Sequence, residues 1–240
     1  MSTETVDTTE PQGKWTFDAD VTAAFDDMLR RSIPQYDLMR QLCFDLGSRF
    51  VKHATTIVDL GCSRGEAMAP FVHRFGAQVH HVGVEISPTM REAAKERFGG
   101  MIRCGVVEIR DDDLRTGYPP VKASLTLCVL TLQFVPIEYR QRLLRKMWDS
   151  TLPGGALVLV EKVIGSCQET DQLLIDAYHE MKKANGYSQE AIDRKRLSLE
   201  GVLVPVTSKW NEDLLQAAGF RRVEGFWRCL NFAGWIAVKD

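Results

Sequence analysis

Seven residues constrain this chain most: Asp59-Leu60-Gly61-Cys62-Ser63-Arg64-Gly65. They close an apolar run, Thr56-Ile57-Val58, that reads as a strand, and they open a helix. A second apolar run, His81-Val82-Gly83-Val84, ends in an acid, Glu85. A glycine turn after one strand and an acid at the end of the next is how an α/β domain grips an adenosyl group. The glycines let backbone approach the ligand, and the acid accepts from the two ribose hydroxyls. Alone, the loop equally suits any glycine turn in an α/β protein; joined to Glu85 it points to a ligand.

The remaining pattern supports that fold. Strands are expected at 56–60, 79–85, 104–110, 123–130 and 156–161, with helices over 66–75, 87–98 and 136–151 between them. Ser87-Pro88 starts the second of these helices, serine capping free N–H groups and proline fitting the first turn. The run 123–130 is nearly all apolar, as a parallel strand buried on both faces should be. Such alternation implies a doubly wound, mostly parallel sheet, here of seven strands once a closing pair at 220–223 and 230–238 is added. Helices over 168–185 and 190–200 interrupt it and form a cap or dimer surface, an insertion of about 166–205; a further helix covers 207–218. The stripe assigned to the first cap helix is Leu173, Leu174, Ala177, Tyr178 and Met181. Upstream, apolar spacing predicts helices over 16–31 and 35–51. Residues 1–14 are polar and acid- and threonine-rich, and read as a disordered tail before a single domain, 15–240.

Composition removes several function classes. Formal net charge is −2 with acids and bases interspersed, which gives no footprint for direct nucleic-acid binding. The six cysteines include no C-x-x-C pair, so no metal site is expected, and cysteines inside apolar runs act as small hydrophobes. No apolar stretch reaches the roughly 20 residues of a membrane span, and no signal peptide precedes the domain, so a reducing cytoplasm is the expected compartment.

The spacing D-x-G-x-x-x-G resembles the class I S-adenosylmethionine (SAM) methyltransferase fold, a Rossmann-like fold, more than the G-x-G-x-x-G dinucleotide fold, whose helix N-terminus faces a pyrophosphate. Several segments together narrow the resemblance. They are Arg31-Ser32-Ile33-Pro34-Gln35-Tyr36, the glycine loop, Ser87-Pro88-Thr89-Met90 and Thr131-Leu132-Gln133-Phe134. Further on come Pro153-Gly154-Gly155, Ala184-Asn185-Gly186-Tyr187-Ser188, Lys195-Arg196 with Leu199-Glu200, and Cys229-Leu230-Asn231-Phe232. In this order they resemble carboxy-S-adenosyl-L-methionine synthases; the A-N-G-Y-S and K-R segments are the narrow signals.

The resemblance implies a SAM-dependent transferase that converts SAM and prephenate to carboxy-SAM and phenylpyruvate, a homodimer that supplies tRNA wobble-uridine modification without itself touching RNA. The ligand is then SAM or carboxy-SAM. It implies Tyr36 over the methionine end, Asp59 orienting loop or ligand, and Gly61, Cys62 and Ser63 presenting backbone and hydroxyl. Glu85 and Ile86 lie at the ribose, Asp113 and Leu114 at the adenine, and Val129 in the strand before T-L-Q-F. Arg196 grips the new carboxylate from the neighbouring subunit, in the bidentate geometry a guanidinium offers. Tyr36 and Arg196 are the catalytic candidates.

Four positions depart from the family pattern: Glu85 stands where it commonly carries Asp, Ile86 and Val129 where it carries Asn, and Arg64 where it carries an apolar residue. Plain alternatives accompany the site assignments. Arg196 also reads as one more solvated helix charge, Tyr36 as a packing residue, Asp113 as one of three consecutive loop acids, and Cys62 as packing with no base beside it. His179 is a lone histidine, more often structural than a proton carrier. Arg30, Arg31 and Arg64 either meet an anionic substrate such as prephenate or are surface charges. The function alternatives are a conventional small-molecule methyltransferase with another acceptor, and a non-catalytic SAM-binding module.

Overall fold

The computed structural model describes residues 6–240. Helices α1 (Ala19–Ala23), α2 (Phe25–Ser32) and α3 (Tyr36–Gly47) lead into β1 (Thr56–Leu60), α4 (Ala69–Phe75), β2 (His80–Val84), α5 (Pro88–Arg97), α6 (Gly99–Arg103) and β3 (Val107–Arg110). Then come β4 (Ala123–Val129), α7 (Ile137–Ser150), β5 (Thr151–Ile164), α8 (Gln168–Ala184) and α9 (Gln189–Leu199). The chain finishes with β6 (Val206–Thr207), α10 (Ser208–Ala218), β7 (Arg222–Cys229) and β8 (Phe232–Val238).

The sheet has eight strands in the order β3-β2-β1-β4-β5-β8-β7, with β6 beside the end of β5. Strands β1 to β5 pair in parallel, β8 runs antiparallel to β5, and β7 antiparallel to β8. The expected seven strands are the main path; two-residue β6 is the addition. Alternation along β1 divides the core: Val58 and Leu60 pack with Leu143, Leu144 and Met147 of α7 on one face, while Ile57 packs with Met39, Cys43 and Phe71 of α3 and α4 on the other. Each such fully buried aliphatic side chain contributes roughly 1.5–3 kcal/mol. Strand order reverses between β1 and β4, and the crevice beyond their carboxyl ends is where open α/β sheets bind ligands.

Several boundaries differ from expectation, each for a local reason. The helix expected over 16–31 is two, α1 and α2, joined through non-helical Ala24; Asp18 caps the first by accepting from Val21 N–H at 3.0 Å. The first three residues of the strand expected over 104–110 are the turn that follows α6, where Gly105 takes φ +68°, and β3 starts at Val107. The closing pair is longer: β7 covers Arg222–Cys229, an edge strand whose Arg222, Glu224 and Arg228 are not buried, so it shows no apolar run. On α8 the buried residues are Tyr178 and Lys182, whereas Leu173 of the expected stripe is 67% exposed.

The expected tail also changes. Residues 1–5 lie outside the described part, but Asp7 is buried. Its N–H donates to Asp27 at 2.7 Å, Arg31 donates to its carbonyl at 3.2 Å, and the Tyr187 hydroxyl donates to its carboxylate. Trp15 N–H then donates to the Ser198 carbonyl at 2.9 Å, and its ring is buried. Polar pairing anchors this segment, which is why a hydrophobicity reading misses it.

Candidate active site

The glycine loop leaves β1 in a conformation its sequence is built for. Gly61 and Gly65 have φ of +65° and +87°. A Cβ on Gly61 would sit 2.5 Å from the Thr131 side chain, across the switch point, and one on Gly65 would sit 2.3 Å from Phe98. Ser63 (φ +49°) and Leu130 (φ +60°) hold left-handed conformations without being glycine. Such strain costs on the order of 1–3 kcal/mol per residue and clusters at ligand sites. Both line a cavity of about 420 Å³ beyond the ends of β1 and β4, within the roughly 300–1,000 Å³ typical of small-molecule sites.

Acids surround the loop end of this cavity. Glu85 is buried, and its carboxylate accepts from Ser63 N–H (2.9 Å) and Ser87 N–H (2.8 Å), tying the glycine loop to the start of α5. Burial raises its pKa, opposed by those same donors. Asp59 is buried too, and its Oδ2 has no hydrogen-bond partner among the described residues. Burial pushes Asp59 up to about 7, with Arg40 opposing. Glu66 lies beside it with neither carboxylate oxygen hydrogen-bonded, its ion contacts being Arg97 at 3.3 Å and Arg64 at 3.7 Å. Unpartnered buried carboxylate oxygens are costly unless something external meets them. The ammonium and hydroxyls of an adenosyl amino acid are suitable donors, so the residues present fit SAM.

The other expected site residues fall into two groups, those that line the cavity and those that do not. Tyr36, Gly61, Cys62, Ser63, Ile86, Asp113, Leu114 and Val129 line the same cavity as Asp59 and Glu85. Tyr36 is buried between Arg30 and Arg40, whose guanidinium carbons lie 6.0 and 5.9 Å from its ring centre, and burial raises its hydroxyl to about 12. Asp113 is already held by Arg115 through guanidinium and backbone N–H, which lowers its pKa. Cys62 is buried, and burial drives its thiol well above the ordinary value, so it packs rather than attacks.

Arg196 stands apart: it is exposed on α9 and does not line the cavity. Nor do the three arginines considered for an anionic substrate. Arg30 pairs with Asp37, Arg31 with Asp27, and Arg64 with Asp26, donating also to the Thr22 carbonyl. His179 is outside the lining as well.

Sequence reasoning missed the cations that do line the cavity: Arg40, Arg115, Lys162, Lys182 and Lys195. One signal was available. Lys162 interrupts the apolar run of β5, the same oddity that drew attention to Glu85. Lys195 was singled out only as the neighbour of Arg196; it points inward, its ammonium 3.3 Å from the Trp15 ring centre. Among the described residues no group of three or more His, Cys, Asp or Glu side chains is placed to hold a metal ion, and no helix is long and apolar enough to cross a membrane.

A parallel sheet with antiparallel β8 at this position, a glycine loop after β1 and an acid after β2 define a protein of the class I SAM-dependent methyltransferase fold. A methyltransferase domain family matches residues 57–155. An O-methyltransferase family protein from Burkholderia thailandensis superposes with a TM-score of 0.65 at 21% identity, covering 93% of this chain and 60% of that one, and shows the fold alone. Carboxy-S-adenosyl-L-methionine synthase of Methylococcus capsulatus is 39% identical over 93% of both chains, and that of Chromohalobacter salexigens 36% identical over 94% of this chain and 84% of its own. The chain belongs to the carboxy-S-adenosyl-L-methionine synthase family.

Proposed function

We propose that this protein converts SAM and prephenate to carboxy-SAM and phenylpyruvate. The observation that carries the reading is a shared cavity. Asp59, Gly61, Cys62 and Ser63 of the glycine loop line one end together with Glu85, and α8 and α9, which are joined by the narrow A-N-G-Y-S segment and of which α9 carries the K-R pair, supply Tyr178, Lys182 and Lys195 at the other. An ordinary methyl transfer needs only in-line placement of a nucleophile; a carboxylated donor needs cations where its charge sits.

The reaction balances without an outside reagent. Prephenate loses its ring carboxylate as CO2 and its ring hydroxyl as hydroxide, and the ring becomes aromatic. The SAM methyl carbon, acidified by the sulfonium, gives its proton to that hydroxide and forms the new C–C bond to CO2. This chain's residues position and exclude water: burial of the cavity beneath Trp15 and Phe17 keeps both fragments in place. SAM is a substrate here, and the product supplies tRNA wobble-uridine modification carried out by another enzyme.

The reading includes a homodimer in the cytoplasm. Arg196 is exposed and outside its own cavity, as a guanidinium lent to a second copy must be, and the cap exposes Leu197 (54%) and Leu173 (67%) for burial in such a contact. The test is mass spectrometry after incubation with SAM and prephenate. A product 44 mass units above SAM is expected. S-adenosylhomocysteine formed only with some other acceptor would replace this reading with methyl transfer, and ligand binding without any turnover would leave a binding module.

A further inference from the structure

Three ammonium groups line one end of the cavity with no ion pair among the described residues. Lys162 comes from β5, Lys182 from α8 and Lys195 from α9. Lys182 is only 5% exposed. Among the described residues the ion-paired lysines are Lys95, Lys183 and Lys209, not these three. Their neighbours are aromatic faces. Lys162 lies 4.9 Å from the Tyr178 ring centre, Lys182 lies 5.0 Å from that of Tyr187, and Lys195 sits over Trp15 while donating to the Met28 sulfur at 3.0 Å.

The nearest acids are occupied. Asp7, whose charge acts on Lys182 and Lys195, accepts from Tyr187 and from Thr9 N–H. Asp171, which acts on Lys162, accepts from Gly165 N–H at 2.7 Å. Burial first, and then repulsion by Lys162 at Lys182 and by Lys182 at Lys195, lowers the proton affinity of these amines, with Asp7 opposing. Ring faces compensate a buried ammonium only partly. An anion entering the cavity would compensate it fully. The adenosyl ligand brings one carboxylate, and Arg40, which lines the Asp59 end and makes no ion pair among the described residues, suits that group.

We propose that Lys162, Lys182 and Lys195 form the subsite for the carboxyl donor, a small dicarboxylate whose two negative charges they hold apart beside the adenosyl pocket. This rests on the carboxyl-transfer reading above. It also separates two adjacent residues of α9 by role: Lys195 serves its own cavity while Arg196 faces outward.

The experiment is steady-state kinetics of Lys182→Met and Lys162→Met with prephenate varied at saturating SAM. Each substitution should raise KM for prephenate about tenfold or more, the loss of one charge-assisted contact, and change KM for SAM by less than about twofold. Thermal midpoints should hold or rise, because methionine replaces an unpaired buried charge. A purely structural lysine would give the reverse, a lower midpoint with KM for prephenate unchanged. Unchanged KM in both variants overturns the proposal. Should the wild type show no turnover, the carboxyl-transfer reading falls, and calorimetry of prephenate against protein loaded with S-adenosylhomocysteine then decides the subsite. Binding weakened by Lys182→Met supports it; equal binding, or none, overturns it.

Discussion

Replacing Glu85 by glutamine tests the adenosyl assignment with one atom's change. In the folded chain both Glu85 oxygens accept backbone N–H groups, from Ser63 at 2.9 Å and Ser87 at 2.8 Å. A carboxylate has about four acceptor positions, so two remain for ribose hydroxyls. Glutamine keeps one oxygen and turns an NH2 toward the second N–H, where donor meets donor. One buried donor left unsatisfied costs ~1–3 kcal/mol of stability. Loss of the charged acceptor should cost binding a similar ~1–3 kcal/mol, which raises Kd roughly 5- to 150-fold. Urea denaturation reads the first quantity, and calorimetry with S-adenosylhomocysteine reads the second. Lower stability with unchanged affinity would reduce Glu85 to a brace for the loop. No change in either would refute the reasoning.

Gly61→Ala places a Cβ 2.5 Å from Thr131 at φ +65°, and should destabilise the fold by ~1–3 kcal/mol and weaken SAM binding; an unaltered thermal midpoint would count against a built loop. Arg196→Ala should weaken carboxy-SAM binding at least about tenfold and leave SAM affinity unchanged, since only the former carries the new carboxylate; equal loss for both ligands would sink its role. Stability of the ligand-free protein should pass through a minimum near pH 7–8. Asp59 and Glu161, raised by burial to about 7 and about 8, keep protons that the unfolded chain has released, so their contribution is lost as pH climbs from the ordinary carboxylate range to those values. Lys162 and Lys182 (about 8) and Lys195 (about 7), lowered by burial, shed protons that the unfolded chain still holds, so stability returns between there and about 10.4. A monotonic fall of urea midpoints across that range would contradict the lysine half, and a monotonic rise the carboxyl half.

What could be read from sequence follows burial geometry. Strands β1, β2 and β4 are covered on both faces, so their sequences are mostly apolar with no strict alternation, visible without any fold. β7 is an edge strand with charges outward, and only its partner β8 makes it a strand. The glycine loop and Glu85 were legible because each departs from local expectation: glycines where a helix begins, an acid where a buried strand ends. Lys182 offered no such departure. It follows Met181 on a charged helix, and a lysine there reads as solvated until the helix is docked with its Tyr178–Lys182 face inward. Tertiary placement, not local pattern, turns that residue into part of a site. Arg196 shows the converse: its motif is specific, yet within a single chain it reaches nothing in the cavity.

The distribution of charge within the cavity restricts its occupant further than the fold does. Asp59, Glu66 and Glu85 lie at the loop end; Lys162, Lys182 and Lys195 lie at the cap end; none of these lysines pairs with any of these acids. A cavity that merely reflected loose packing would let long lysine side chains swing across toward Asp59, whose Oδ2 has no hydrogen-bond partner among the described residues, because an ion pair in a low-dielectric interior is far more favourable than two isolated charges. Their separation suits a bound species, or pair of species, with positive charge toward the loop and negative charge toward the cap. A dinucleotide fails this requirement, since its pyrophosphate would face the acids. SAM satisfies half of it through its ammonium and sulfonium, and leaves the lysines to a second, anionic reactant.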